Sequence, residues 1–252
     1  MISRKEILKS SRRSDHEDNV WVHPFSGRMA SWFTWAFVNL GLSANQVTFL
    51  SFVSGVIAAG VLLSDNVVAA FTAFALFRLH VVLDASDGEV ARYRNQTSQM
   101  GVYWDQSMHM IVYPLIFACL VWGRLLNDAD MVLVVFGMLG VVGKIIDLGV
   151  QNAYYRVLYN SGTQAQISAA SPVSNSRPSP VRSFWNFMLH FSGYDGLLFF
   201  FAAAYFVNSS WLGLEARDWA ISAYGVNLVL MAMVRMVLIP YRDRIPMRKD
   251  LR

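Results

Sequence analysis

Long apolar blocks separated by short polar stretches dominate the hydrophobic pattern of the chain. The blocks cover residues 45–64, 66–91, 101–123, 130–155, 190–208 and 218–239. Most approach or exceed the roughly 20 residues that an α-helix needs to cross the hydrocarbon core of a bilayer. The pattern therefore predicts an all-α integral membrane protein with six transmembrane helices.

A shorter segment before the first block mixes aromatic and polar residues. Residues 21–40 contain several Trp and Phe side chains, interrupted by Arg28, Ser31, Thr34 and Asn39. Such a mixture is typical of an amphipathic helix that lies along the membrane interface, although a seventh, short span is the alternative. We expect a single domain with three parts, namely a cytoplasmic and interface segment (1–43), a six-helix core (44–240) and a cytoplasmic tail (241–252).

Composition and charge support a membrane protein and give its orientation. Hydrophobic residues make up 55% of the 252 positions and charged residues only 15%, whereas soluble domains carry about 25% charged residues. Sixteen Lys and Arg residues fall in the predicted loops and tails on the side of the termini, and only Arg124 and Arg217 on the other. The positive-inside rule then places both termini in the cytoplasm. We expect a bacterial inner membrane, with membrane lipids and no nucleic acid as partners.

Residues 83–110, LDASDGEVARYRNQTSQMGVYWDQSMHM, interrupt the apolar pattern with three aspartates and a histidine. Asp84 and Asp87 are three positions apart, so on a helix they share one face. Asp105 and His109 are four apart and share a face of the next helix. Two antiparallel helices joined by a short loop bring both faces together, so we expect these four side chains to meet at the cytoplasmic surface.

This arrangement indicates a binding site for metal and phosphate. Carboxylates within membrane helices are costly and usually functional, and hard oxygen ligands suit Mg²⁺ or Mn²⁺ together with substrate phosphates. Gly88, Ala91 and Gly101 are small enough to let a bulky ligand approach, and Arg92 offers a cation for phosphate. The alternative is that the aspartates form salt bridges at the helix ends, with Arg78, Arg92 or Arg94.

The same stretch resembles the signature of the CDP-alcohol phosphotransferase family, D-x2-D-G-x2-A-R-x8-G-x3-D-x3-D. The spacing is kept and seven of eight positions match: Asp84, Asp87, Gly88, Ala91, Arg92, Gly101 and Asp105. His109 stands where the family has its last Asp. Upstream, LSANQVTFLS resembles the T-P-N-x-x-T entry to the family's first span, with Asn45 and Thr48 kept, Ser43 for Thr and Ala44 where Pro is usual.

The resemblance implies a reaction and a set of site residues. A hydroxyl acceptor attacks the phosphate that carries the alcohol group of a CDP-linked donor, and CMP leaves. One or two Mg²⁺ or Mn²⁺ ions would be held by Asp84, Asp87 and Asp105. The CDP moiety would be bound by Asn45, Thr48, Gly88, Ala91, Arg92, Ser98 and Gly101. The resemblance also implies a homodimer.

The histidine leaves three hypotheses for its own role. His109 and Asp105 are the predicted catalytic residues, with His109 as the general base, because an imidazole pKa near 6.5 suits that role. In the second hypothesis His109 is a metal ligand that favours Mn²⁺ over Mg²⁺. In the third, the change from Asp to His weakens or abolishes catalysis.

The sequence leaves the two substrates open. Lys144 and Arg156 are candidate acceptor-binding residues, with a Lys144–Asp147 salt bridge and a positive-inside anchor as the respective alternatives. We favour CDP-diacylglycerol as the donor over a CDP-linked head group used with a lipid alcohol. The competing functions are a catalytically silent relative that binds CDP-lipid or metal or has a structural role, and a transporter with intramembrane carboxylates.

Overall fold

The computed structural model describes residues 2–11, 26–127, 131–160, 194–207, 210–211 and 214–242. Within these ranges the chain forms α1 Arg4–Ser11, α2 Ser26–Asn39, α3 Ala44–Val61, α4 Val67–Tyr93, α5 Gln99–Leu125, α6 Met131–Asn160, α7 Tyr194–Ala204 and α8 Ala216–Arg242. A 3-10 turn, Leu62–Ser64, continues α3. Two short antiparallel strands, β1 Ser210–Trp211 and β2 Leu214–Glu215, precede α8.

Five helical segments in the described part are long and apolar enough to cross a membrane. They are Ala44–Ser64, Val67–Tyr93, Gln99–Leu125, Met131–Tyr154 and Ala216–Val237. These five coincide with five of the six predicted spans, so the prediction of an integral membrane protein built from helices is confirmed. The predicted span over 190–208 contains α7, which is 11 residues long, while 190–193 and 208 lie outside the described residues. The sixth span therefore stays a prediction.

The N-terminal region contains one expected helix and one that the hydrophobic pattern did not predict. The predicted interface helix corresponds to α2, and its position at a membrane surface stays a prediction. The unexpected helix is α1, whose Ile7 is fully buried in a cluster with Phe37, Val47 and Leu83. Ile7 therefore packs the N-terminal helix against a cluster formed by α2, α3 and α4.

Polar caps fix where the long helices begin. Ser43 and Gln46 form a capping box at α3, in which the Gln46 side chain accepts a hydrogen bond from the Ser43 N–H at 2.8 Å. Asn66 caps α4 through its side-chain oxygen, and Ser98 caps α5 by accepting from the Gly101 N–H at 3.0 Å. These caps satisfy N–H groups that the first turn of a helix leaves without partners. They therefore fix the boundaries of α4 and α5, the helices that carry the acidic stretch.

The core of the bundle is filled by aromatic and branched side chains from four helices. Phe77, Phe117, Phe201 and Ile221 are essentially inaccessible to solvent. α6 and α8 approach so closely that a Cβ atom on Gly225 would clash with the backbone carbonyl of Phe136. Small residues at helix contacts permit this packing in membrane proteins, where van der Waals contact replaces much of the hydrophobic driving force.

Charged residues close the bundle where α5 ends and α8 begins. Arg124 donates to both carboxylate oxygens of Asp218, at 2.7 and 3.0 Å, and to Asp65 at 2.8 Å. The Tyr205 hydroxyl donates to Asp65 at 2.6 Å, and Arg217 also pairs with Asp65. We call this group the far-end cluster, formed by Asp65, Arg124, Tyr205, Glu215, Arg217 and Asp218. It ties the turn after α3 to α5, to the end of α7 and to α8.

Candidate active site

α4 and α5 run antiparallel and bring the acidic stretch together at the end of the bundle opposite the far-end cluster. Asp84 and Asp87 lie near the end of α4, and Asp105 and His109 near the start of α5. The chain reverses between the helices through a turn in which Asn95 has a φ of 52°. Asn tolerates this left-handed conformation better than most residues. The predicted convergence of the two helix faces is therefore present.

Three of the four predicted side chains converge closely. Asp84, Asp105 and His109, which we call the motif-end cluster, each offer a ligand atom, and these atoms lie within 4.8 Å of one another. His109 Nε2 is 3.3 Å from Asp84 Oδ1, and His109 Nδ1 is 3.3 Å from Asp105 Oδ1. The side chains of Asp84 and Asp105 are 31% and 36% exposed, so a ligand can reach them.

The backbone determines which nitrogen of His109 faces Asp84. Nδ1 lies 3.0 Å from the carbonyl oxygen of Asp105, and a carbonyl oxygen only accepts hydrogen bonds. We therefore assign the proton of the neutral imidazole to Nδ1. Nε2 then presents its lone pair beside Asp84, where it can accept a proton or bind a metal ion.

Asp87 has different surroundings from the other two aspartates. It is buried, at 9% exposure, and its Oδ2 accepts a hydrogen bond of 2.6 Å from the Thr48 hydroxyl. The structure thus joins Asp87 to a residue predicted for the CDP pocket, and it groups His109 with Asp84 and Asp105. A metal-binding role for Asp87 stays a prediction.

The small residues of α4 lie beside a guanidinium group. A Cβ atom on Gly88 would come within 3.1 Å of Arg92 Nη1, so the glycine leaves room for this cation along the helix. Ala91 is partly buried and packs toward the N-terminal helices. Gly88 and Arg92 therefore form a small cationic surface next to Asp87, as a phosphate site requires.

The remaining predicted donor residues lie at the starts of α3 and α5. Asn45 is exposed in the first turn of α3. The Ser98 hydroxyl is engaged by the Gly101 N–H, and a Cβ on Gly101 would approach that hydroxyl to 3.3 Å. Ser98 and Gly101 thus form the cap of α5, and their predicted contact with CDP is not tested by this geometry.

Lys144 belongs to a second polar group beside the motif-end cluster. Its Nζ lies 3.1 Å from Asp147 Oδ2 and 4.9 Å from the centroid of the Tyr113 ring. Arg235 of α8 approaches the other oxygen of Asp147 at 2.9 Å. The salt bridge considered as an alternative is therefore present. Arg156 is exposed near the end of α6.

The sequence did not identify Tyr113 as a site residue and did not assign a role to Arg235. The Tyr113 ring stacks on the His109 ring, with 5.3 Å between centroids and 13° between planes. The signal was available, because residues four positions apart share a helix face. The pairing of Arg235 with Asp147 joins α8 to α6 over a sequence separation of 88 residues, which no local pattern indicates.

The donor atoms of the motif-end cluster fit a divalent cation. Ligands at roughly 2.1 Å from a small ion lie up to about 4 Å apart, close to the spacing of these groups. Two carboxylates suit Mg²⁺, which also keeps waters and phosphate oxygens, while an imidazole nitrogen is better accepted by Mn²⁺. The residues present therefore fit the cofactors that the sequence predicts.

Comparison with known proteins gives a family match and several solved structures of related fold. The chain matches the model of the family described as CDP-alcohol phosphatidyltransferase over residues 41–176, more than half of its 252 residues. No curated protein matches it in sequence.

Two of the matching structures are of phosphatidylinositol phosphate synthase PgsA1 from Mycobacterium tuberculosis. The form with CDP-DAG bound has a TM-score of 0.57 and 17% identity, covering 88% of this chain and 98% of that one. The apo form has a TM-score of 0.54 and 18% identity, with coverages of 83% and 95%. At these identities the likeness establishes the fold.

Proposed function

The chain belongs to the CDP-alcohol phosphatidyltransferase family, and from that premise we propose that it moves a phosphatidyl group from CDP-diacylglycerol to a polar alcohol. Transfer from a CDP-linked donor to a hydroxyl acceptor, with release of CMP in phospholipid synthesis, is the activity of the family. The observation that carries the proposal is the convergence of Asp84, Asp105 and His109 from two helices.

CDP-diacylglycerol is the proposed donor because the site lies at the end of apolar helices. A solved protein of the same fold holds CDP-DAG, and long apolar helices give acyl chains a surface to lie against. Arg92, beside Gly88, would bind the pyrophosphate. The other contacts with CDP are proposed for Asn45, Thr48, Ala91, Ser98 and Gly101.

Asp84 and Asp105 would hold Mg²⁺ or Mn²⁺. Asp87 would become a further ligand if its carboxylate gave up the hydrogen bond from Thr48. When bound, the ion would supply positive charge at the pyrophosphate and at the departing CMP. Asp84 and Asp105 would hold this charge close to His109, whose Nε2 would receive the proton of the acceptor hydroxyl.

His109 is the proposed general base. Its Nδ1–H is held by the Asp105 carbonyl, so Nε2 takes the proton of the acceptor hydroxyl, and Asp84 stabilises the imidazolium. The acceptor oxygen forms a bond to the phosphorus that carries diacylglycerol. The bond from that phosphorus to the CMP oxygen breaks, and CMP leaves with the electron pair.

The acceptor is proposed to lie toward α6. Lys144 and Arg235 bring two cations to a single carboxylate, Asp147, so the group carries a net positive charge when all three are ionised. Such a group favours an acceptor that is polar or anionic. Arg156 would contribute from the end of α6 if the acceptor extends beyond this group.

We also propose a cytoplasmic site in a bacterial inner membrane. The motif-end cluster lies at the end of the bundle where Arg92 is in the last turn of α4 and Arg94 caps that helix, and the far-end cluster pairs Arg124 and Arg217 internally. The excess of cations on the motif side favours its placement in the cytoplasm. A homodimer is the proposed assembly.

Product analysis tests this function. Purified protein in lipid–detergent micelles is given CDP-diacylglycerol, Mg²⁺ or Mn²⁺, and a panel of alcohols with and without phosphate groups. We expect CMP and a new phosphodiester lipid in equal amounts with one acceptor, and neither product after chelation or in Asp87→Asn. A second arm supplies CDP-linked head groups with diacylglycerol, and turnover only there would reverse the proposed donor and acceptor.

Because His109 stands where the family signature has an Asp, one competing function is a catalytically silent relative that binds CDP-lipid. Binding of CDP-diacylglycerol without CMP release in either arm would establish that alternative. Replacing His109 by Asp restores the family signature, so activity gained in His109→Asp would show that the histidine silences the enzyme.

A further inference from the structure

Tyr113, which is not a position of the family signature, stacks on His109, the proposed general base. Its ring is nearly parallel to the His109 ring, 5.3 Å away between centroids. Parallel, offset aromatic rings attract each other beyond the effect of the area that they bury. The stack therefore favours one orientation of the imidazole plane.

Two aromatic side chains of α4 hold Tyr113 in turn. Phe77 and His80 meet its ring edge to face, with centroids 5.8 and 6.0 Å away. His80 is itself fixed from α3, because its Nδ1 lies 2.9 Å from the Ser51 hydroxyl and 3.0 Å from the Ser51 carbonyl. Tyr113 thus packs against side chains of α4 that are in turn held by α3, and His109 packs against Tyr113.

The backbone around these residues is less constrained than in an uninterrupted helix. Pro114 lies inside α5 directly after Tyr113, and proline has no N–H to donate to the carbonyl four residues earlier. The helix therefore lacks one hydrogen bond in the turn that joins His109 to Tyr113. Side-chain packing has a correspondingly larger part in holding the imidazole.

Tyr113 also contacts the proposed acceptor group. The Lys144 ammonium lies 4.9 Å from its ring centroid, within the range of a cation–π interaction. The same ring therefore contacts the base and a cation proposed to bind the acceptor.

We propose that Tyr113 is a positioning residue for the transfer reaction, whose ring fixes the plane of His109 relative to the acceptor group at Lys144. The proposal rests on the proposed function for the reaction itself. Its structural part, the fixed imidazole, is independent of turnover. A small misplacement of a catalytic group can lower a rate by about 100-fold, so loss of the ring should act mainly on kcat.

The test compares Tyr113→Leu, which removes the ring, with Tyr113→Phe, which keeps it. Phe117→Leu is the matched control, because Phe117 lies one turn further along α5 in the core. We expect Tyr113→Leu to lower kcat about 10- to 100-fold with an unchanged KM for CDP-diacylglycerol. Tyr113→Phe should retain nearly the full kcat, and Phe117→Leu should lower only thermal stability.

An NMR readout separates positioning from turnover. In protein labelled at histidine, the ring-proton signal missing from His109→Ala belongs to His109 and carries the ring-current shift of the stacked Tyr113. We expect this shift to disappear in Tyr113→Leu and to persist in Tyr113→Phe. If wild type releases no CMP, the proposed function fails while this signal still tests the stack.

Four outcomes would overturn the proposal. The first is a wild-type kcat in Tyr113→Leu, and the second is an equal loss in Tyr113→Phe, which would assign the effect to the hydroxyl. The third is an unchanged His109 signal in Tyr113→Leu. An equal loss of kcat in Phe117→Leu would attribute the effect to general packing and would also count against it.

Discussion

Asp65 stands just before α4 and Asp84 near the other end of that helix, and their surroundings differ in exposure and in charge. The Asp65 side chain is 2% exposed and meets the guanidinium groups of Arg124 and Arg217. The Asp84 side chain is 31% exposed and meets the imidazole of His109. A guanidinium is always charged, whereas an imidazole is charged only when protonated.

The contrast separates a structural use of buried charge from a chemical one. In the far-end cluster, the buried carboxylates of Asp65 and Asp218 are each paired with a permanent cation inside the fold, so they need no ligand to compensate their charge. In the motif-end cluster, two carboxylates share a single imidazole and stay accessible, an arrangement that favours an added cation. We therefore expect substitutions at the two ends to affect different properties, stability at one and turnover at the other.

The largest expected effect is on turnover in Asp84→Asn. Loss of this carboxylate removes a metal ligand and the partner of His109, at a cost of several kcal/mol in the transition state. CMP release should fall at least about 1,000-fold, with little change in the thermal unfolding temperature. The matched control is Asp65→Asn, which should lose stability and keep its activity per folded molecule. A stable and active Asp84→Asn variant would contradict a role of the motif-end cluster in turnover.

Next in size is the loss of stability in Arg124→Met. Removing one partner of a buried ion pair leaves uncompensated carboxylates and costs about 3–5 kcal/mol. Denaturant titration in mixed micelles should show that loss, while the folded fraction should still release CMP at the wild-type rate. Unchanged stability would mean that the far-end cluster does not hold the helices together.

A smaller effect is expected from His109→Ala. A general base accelerates a reaction roughly 100- to 10,000-fold. We expect the loss of turnover to lie near the lower bound, because water can partly replace the imidazole. Binding of CDP-diacylglycerol should be preserved, as measured by protection of the fold against heat. Wild-type turnover in His109→Ala would exclude histidine as the base.

The smallest predicted effect, about 1 kcal/mol, concerns Tyr205→Phe at the far end. The Tyr205 hydroxyl donates to the buried Asp65 at 2.6 Å, so the variant leaves that carboxylate with one hydrogen bond fewer. The unfolding temperature of Tyr205→Phe should therefore lie about 2–4 °C below that of wild type, with CMP release per folded molecule unchanged. An unfolding temperature equal to that of wild type would contradict this assignment.

The parts of the molecule predicted from sequence are those that local spacing determines. Bilayer thickness dictates helix length, so five spans were predicted within a few residues of their bounds. The 3.6-residue period and the short loop placed Asp84, Asp105 and His109 together, and the signature predicted the family, which is confirmed. The hydrogen bond between Thr48 and Asp87 could not be predicted from local spacing, because it depends on how α3 packs against α4.

Contacts between distant segments could not be predicted in this way. The far-end cluster joins Asp65 to Arg124 and Asp218, and each of these acids or bases looks like an ordinary loop charge in the sequence. α1 was missed because its sequence is mostly polar, and the burial of Ile7 depends on packing against α2, α3 and α4. The four-residue spacing places Tyr113 on the same helix face as His109, but the near-parallel stack of the two rings also depends on contacts with Phe77 and His80 of α4, which the spacing does not show.

Mn²⁺ binding measured by electron paramagnetic resonance tests the central distinction most directly, because it requires no turnover. Wild-type protein in micelles with CDP-diacylglycerol should remove the signal of free Mn²⁺ at one or two ions per chain. Asp84→Asn and Asp105→Asn should lose that binding, and Asp218→Asn at the far end should keep it. Equal binding by wild type and Asp84→Asn, or loss of binding in Asp218→Asn alone, would contradict the assignment of the motif-end cluster as the metal site.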